Sequence, residues 1–289
     1  MTTVIKAKNT MPEPPAWTYI ENERDYHALS KSGDVMSSGM LKKFRDCPYQ
    51  YHRIISGLVK ESDSPAFRFG RAVHKICLEG IPAFNKAYAI GGPINERTGK
   101  SFGVGTKAHD EWLAANGYSR DQVINEDEGD TLVTMANSVR KHPQASALLD
   151  FGWPELVART LLHGVMCQIR IDWLTHDADG NFCIVDLKTC SDLSWFQSDA
   201  YRYGYPHQFA FYRDVCQAVT GREFRFMVVA VEKEEPHRTG LWHVSPEVLD
   251  MHSAINKEAL ENYKQCKASD VWPTGYEDMR SFPTSRVGA

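Results

Sequence analysis

The stretch that most constrains this chain lies between residues 155 and 190. Glu155–Leu162, Val165–Leu174 and Phe182–Thr189 are short runs rich in Val, Ile, Leu and Cys, a composition that suits strands better than helices. The segment His176-Asp177-Ala178-Asp179-Gly180 supplies a hairpin turn between the last two. A long helix is expected over about Tyr203–Val219, and Phe224–Val231 reads as a further buried strand. Upstream, Ser37 or Ser38 can cap a helix carrying Met40, Leu41 and Phe44 at helical spacing, and Pro48 marks a break or restart. Phe69, Ala72, Val73 and Ile76 form one helical face within Phe67–Leu78. This order of helices, strands, helix and strand predicts an α/β fold, a mixed sheet flanked by helices.

The remaining segments set the organisation. Residues 1–30 hold Pro12, Pro14 and Pro15 with little periodicity and read as a loosely packed N-terminal arm. The main domain is expected over 31–270, with a helical N-terminal part and a polar, glycine-rich insertion at about 90–130. Two helices are expected around 130–150, and residues 271–289 read as a loose tail. At 42% hydrophobic residues, the 289-residue chain can bury a substantial core. Seven irregularly spaced cysteines fit a reducing cytoplasm better than a disulfide framework. No apolar run approaches the roughly 18 residues of a membrane span, so no membrane partner is expected. The net charge of −4 argues against tight, nonspecific coating of DNA.

The chemistry concentrates on Asp172 and on Ile184-Val185-Asp186-Leu187-Lys188. Alternate residues of a strand share a face, so Asp186 and Lys188 point together, and a hairpin can bring Asp172 beside Asp186. Two carboxylates with the Leu187 carbonyl make the hard oxygen set that Mg²⁺ or Mn²⁺ prefers. Lys188 can orient an attacking water and offset charge developing on a phosphate. A D-x-K pattern near a turn also occurs in solvated hairpins with no catalytic role, so these three residues do not decide the matter by themselves.

Their surroundings add a resemblance. Ser38–Tyr51 (SGMLKKFRDCPYQY), Phe69-Gly70-Arg71-Ala72-Val73-His74, Gly164–Asp172, IVDLKT at Ile184–Thr189, and Gln208 with Tyr212 stand in order along the chain. They resemble motifs of the RecE-type, exonuclease VIII-like branch of the PD-(D/E)XK nucleases, a phage-related group, and Pro93–Thr98 resembles a further RecE-like segment. The resemblance implies a restriction-endonuclease-like fold and a Mg²⁺-dependent deoxyribonuclease in which His74 is a metal ligand. It also implies digestion of double-stranded DNA from 5′ ends, leaving 3′ single strands for recombination or repair through a strand-annealing partner, by a homo-oligomeric ring. Gln208 and Tyr212, one helical turn apart, could contact the DNA backbone, brace Lys188 or simply pack in the core. Glu79 and Glu155 read as solvated, and Arg45, Arg53 and Arg71 are equal candidates for a terminal phosphate.

Two other readings keep part of this picture. One is a RecB-like or Cas4-like repair nuclease acting on single strands, and the other a noncatalytic DNA-binding protein on the same fold. Cys47 is early but only Cys266 is late, too few ligands for the iron–sulfur cluster of some RecB-like proteins, and none is expected. Gly99-Lys100-Ser101 lacks the glycine spacing and preceding strand of a P-loop, so no ATP binding is expected.

Overall fold

The computed structural model describes residues 13–59, 65–177 and 179–281. Pro12, Ala178 and residues 282–289, which carry parts of the expected arm, turn and tail, lie outside them. Among the described residues the main sheet has seven strands. They are β1 (Tyr19–Ile20), β2 (Met36–Ser37), β3 (Trp153–Leu162), β4 (Val165–His176), β5 (Phe182–Cys190), β6 (Arg225–Glu232) and β7 (Thr239–Val244). The spatial order is β1-β3-β4-β5-β6-β7, with the short β2 also lying on β4. β3, β4 and β5 form an antiparallel meander. The crossover from β5 to β6 makes that pair parallel, so the sheet is mixed.

The helices before the meander are α1 (Glu23–Lys31), α2 (Ser38–Asp46), α3 (Pro48–Ile55), α4 (Pro65–His74), α5 (Ile81–Ala87), α6 (Lys107–Asn116), α7 (Glu126–Lys141) and α8 (Pro143–Leu148). Those after it are α9 (Phe196–Tyr203), α10 (Tyr205–Thr220) and α11 (Pro246–Ser269). The start signals are local: the Ser37 hydroxyl accepts from the Met40 amide, and Pro48 opens α3 behind the Cys47 cap.

Both sheet faces are covered. Ile169, Ile171, Ile184, Phe226 and Val228 pack with α2, α10 and α11 residues such as Leu41, Phe209 and Leu260. Val185, Leu187 and Val229 pack oppositely with Val73, Leu132 and Met135 of α4 and α7. Cover on both faces explains why 182–189 reads as nearly continuous hydrophobic sequence rather than a clean alternation.

Three expectations change. The described part of the arm is not loose: Tyr19 and Ile20 pair with Val157 and Leu156, and Tyr26 of α1 is buried. The helix expected at Tyr203–Val219 is α10, Tyr205–Thr220, and a separate helix α9 precedes it, the two broken where Gly204 takes φ +73. The polar insertion contains the regular helix α6. No helix of the described residues is long and apolar enough to cross a membrane.

Candidate active site

The site forms where two paired strands part. β4 and β5 pair from His176–Phe182 up to Trp173–Val185, and the ladder stops there. Beyond it β4 continues beside β2, with Cys167 and Gln168 opposite Met36 and Ser37. Ile171 belongs to one core cluster and Trp173 to the other, so Asp172 sits at a change of phase. Trp173 is locked by its indole N–H, which donates to the Leu148 carbonyl at 2.9 Å. Gly152 is required beside it, since a Cβ there would lie 2.4 Å from the indole and 2.5 Å from the Leu174 carbonyl oxygen. Asp172 accepts the Leu187 backbone N–H at 3.0 Å through Oδ2, so a side chain occupies the place of a ladder partner.

On the α10 side, Asp186 is 1% exposed. Its Oδ2 stands 2.7 Å from Lys188 Nζ as an ion pair, the one polar contact that reaches that oxygen among the described residues. Gln208 of α10 bridges the pair, its Nε2 donating to Asp186 Oδ1 at 3.3 Å and its Oε1 accepting from Lys188 Nζ at 3.3 Å. The Lys188 ammonium also lies 4.9 Å from the centre of the Tyr205 ring. Burial, reinforced by the Asp172 charge, outweighs Lys188 and pushes the Asp186 carboxyl up to about 6. Burial works against charge on Lys188, but Asp186 and Asp172 prevail and hold its pKa above the ordinary value. Tyr212 is buried, and burial with the two aspartates pushes its hydroxyl up to about 12.

On the α4 side, His74 Nδ1 is 3.5 Å from Asp172 Oδ2. Immediately after His74 the helix widens into a π-turn, Lys75–Glu79, a distortion frequent at functional sites. A Cβ on Gly70, one turn before His74, would meet nothing within 4 Å. A cavity of about 190 Å³ adjoins Asp172 and His74 and is lined also by Arg71, Glu155, Arg170 and Tyr212.

Glu155, expected in solvent, is a correction. It falls opposite Asp172 at a gap in the β3–β4 pairing, with φ +57, and its Oε2 is 2.6 Å from Arg170 Nε. Burial, helped by Asp172, Glu79 and Glu23, outweighs Arg170 and pushes its carboxyl up to about 8. Sequence gave no sign of this, because the left-handed backbone that turns the side chain inward has no mark in Trp-Pro-Glu-Leu. Glu79 is partly buried and pairs with Lys75 at 2.6 Å.

The sequence matches the PDDEXK-like domain of unknown function (DUF3799) over residues 37–282. The chain belongs to that family. A crystal structure of a protein provisionally named an exonuclease, from Eubacterium rectale, aligns with 92% of this chain and 97% of its own at a TM-score of 0.62 and 16% identity. That likeness shows the PDDEXK-like fold. A second structure, SSO0001, aligns over 78% of this chain and 84% of its own at 12% identity and a TM-score of 0.29, too distant to bear on the fold. No curated protein matches the sequence.

Within this PDDEXK-like fold, the described residues draw no three His, Cys, Asp or Glu side chains together as a ready-made metal cage. The groups that do meet are the Asp172 and Asp186 carboxylates with the His74 imidazole beside Asp172, and the Lys188 ammonium is the one polar partner of the buried Asp186 Oδ2 among the described residues, which leaves that oxygen a lone pair for an ion. That chemistry fits a hard divalent cation held by few protein ligands and several waters.

Proposed function

We propose that this protein is a divalent-cation-dependent deoxyribonuclease. The observation that carries the reading is the meeting of Asp172, Asp186 and Lys188 at the fork between β4 and β5. Asp172 and Asp186 would hold Mg²⁺, or Mn²⁺ in its place, with the Leu187 carbonyl and His74 completing the protein's share. A bound cation supplies charge neutralisation at the phosphate and a more acidic water. The chain's own groups do the rest. Lys188, fixed by Asp186 and Gln208, keeps its positive charge and donates a hydrogen bond to the incoming water or a phosphate oxygen. Tyr205 and the buried Tyr212 keep bulk solvent from the Lys188 side.

More finely, the RecE-like motifs support a 5′-to-3′ exonuclease acting on double-stranded DNA ends, leaving 3′ single strands for a strand-annealing partner in recombination. A homo-oligomeric ring around the duplex would give processivity to a chain whose net charge is −4. Duplexes labelled at the 5′ or the 3′ end, incubated with protein and Mg²⁺, test both levels. Early release of the 5′ label with the 3′ label kept on a shortening strand is expected. Early release of the 3′ label would overturn the polarity, and two intact labels in both Mg²⁺ and Mn²⁺ would overturn the nuclease.

A further inference from the structure

An aromatic and basic path leads from Lys188 to the surface. Lys188 Nζ lies over the Tyr205 ring, whose centre is 5.8 Å from that of Tyr203 across the Gly204 break. Tyr203 is 45% exposed, and the Arg202 guanidinium covers its ring at 4.7 Å. Asp199 holds Arg202 in place at 2.9 Å, and Arg202 Nη2 donates to the Tyr203 hydroxyl at 2.8 Å. Lys42 of α2 reaches the same break, since a Cβ on Gly204 would meet its Cε at 3.8 Å. Arg45, one turn further along α2, is near enough to His207 that its charge joins burial in holding that imidazole down to about 4.

Single exposed aromatics are ordinary on a protein surface. Here the exposed ring is stacked with a cation, flanked by Lys42, and joined ring by ring to the reactive lysine. Such a combination suits nucleobases on the ring and phosphates on the cations, a sequence-tolerant mode of holding single strands. We propose that Tyr203, Arg202 and Lys42 form a platform for an unpaired stretch of DNA running to or from Lys188. This rests on the nuclease reading for the identity of the strand, while the contact itself can be tested without cleavage.

The test is fluorescence anisotropy with a labelled oligothymidylate of about ten nucleotides, a length within the usual site sizes, in EDTA. Tyr203→Ala should weaken binding roughly tenfold, the scale of one lost base stack, and Tyr203→Leu, which keeps apolar bulk, should weaken it similarly. Tyr203→Phe should stay close to the parent. Lys42→Ala should weaken binding less and flatten its salt dependence, because one phosphate contact is lost. Tyr276 carries a comparable exposed pair with Arg280, at 4.0 Å, in the C-terminal tail, and Tyr276→Ala should bind like the parent. Parent-like binding by both Tyr203→Ala and Tyr203→Leu would overturn the platform, as would an equal loss in Tyr276→Ala or tighter binding of oligouridylate. Cleavage by a parent whose binding ignores Tyr203 would sink the platform alone, whereas Tyr203-dependent binding without cleavage in Mn²⁺ would sink the nuclease alone.

Discussion

Asp186 and Glu232 lie on neighbouring parallel strands, both nearly enclosed and both beside a cation, yet their chemistry is opposite. Glu232 receives the Leu193 N–H at 2.8 Å, the Arg238 N–H at 3.2 Å and the Arg238 Nε at 2.8 Å. Those bonds, the Arg238 side chain first, hold its carboxyl down to about 2. Asp186 has Gln208 at 3.3 Å from Oδ1 and Lys188 at 2.7 Å from Oδ2, and burial pushes its carboxyl up to about 6. A carboxylate supplied with donors is a finished structural joint. One buried more deeply with fewer donors is at odds with its own charge, and a bound cation would relieve it.

The comparison can be broken most severely at Lys188. Lys188→Ala should lower turnover by about 10²–10³-fold, the usual scale for one preorganised donor, while calorimetry shows Mn²⁺ still binding. Unchanged cleavage with lost metal binding would reverse the roles given to lysine and carboxylates. His74→Ala should cost at least about tenfold, the scale of lost metal-site support, with part of the activity regained at high Mn²⁺. A variant that merely melts earlier, with no recovery on adding metal, would make His74 a packing residue.

The smallest effects concern stability. Glu232→Ala should cost about 1–3 kcal/mol in denaturant unfolding, because it strands the Leu193 and Arg238 donors, and should leave cleavage per folded molecule intact. The two carboxylates also have opposite pH signs. Unfolded carboxyls titrate near 3.9 for Asp and 4.3 for Glu. The raised pKa of Asp186 favours the folded state below about 4, and that contribution is lost as pH rises through about 6. The lowered pKa of Glu232 contributes fully above about 4.3 and is lost as pH falls toward about 2. Melting of metal-free protein should therefore show Asp186→Asn gaining on the parent between pH 4 and 7, and Glu232→Gln falling behind it between about pH 2 and 4.3 with a constant deficit above. Parallel profiles for the two variants would erase the contrast.

The meander and its turn were legible because hydrophobic runs and Asp-rich turn chemistry are local. So were the Ser37 cap, the Pro48 restart and the i, i+4 relation of Gln208 and Tyr212. The 24-residue α11 and the strand β7 were not. α11 mixes charged and apolar residues with no strong stripe, and the six-residue β7 includes Gly240 and His243. At the site, sequence placed Asp186 and Lys188 on one face and brought Asp172 close. It did not reveal the fork, which depends on β2 replacing β5 beside β4, nor the inward Glu155, which depends on a positive φ. The break between α9 and α10, with the exposed Tyr203 at its edge, was marked only by Gly204.

The most direct test compares the parent with Asp186→Asn by calorimetric titration of Mn²⁺, alongside thermal melting without metal at pH 7. The parent should bind Mn²⁺, and the Asn variant should lose that binding while melting no lower than the parent, since Asn mimics the neutral carboxyl that burial favours. Equal Mn²⁺ binding by both proteins, or a metal-free Asn variant that melts well below the parent, would contradict the reading of Asp186 as a carboxylate whose buried charge awaits a cation.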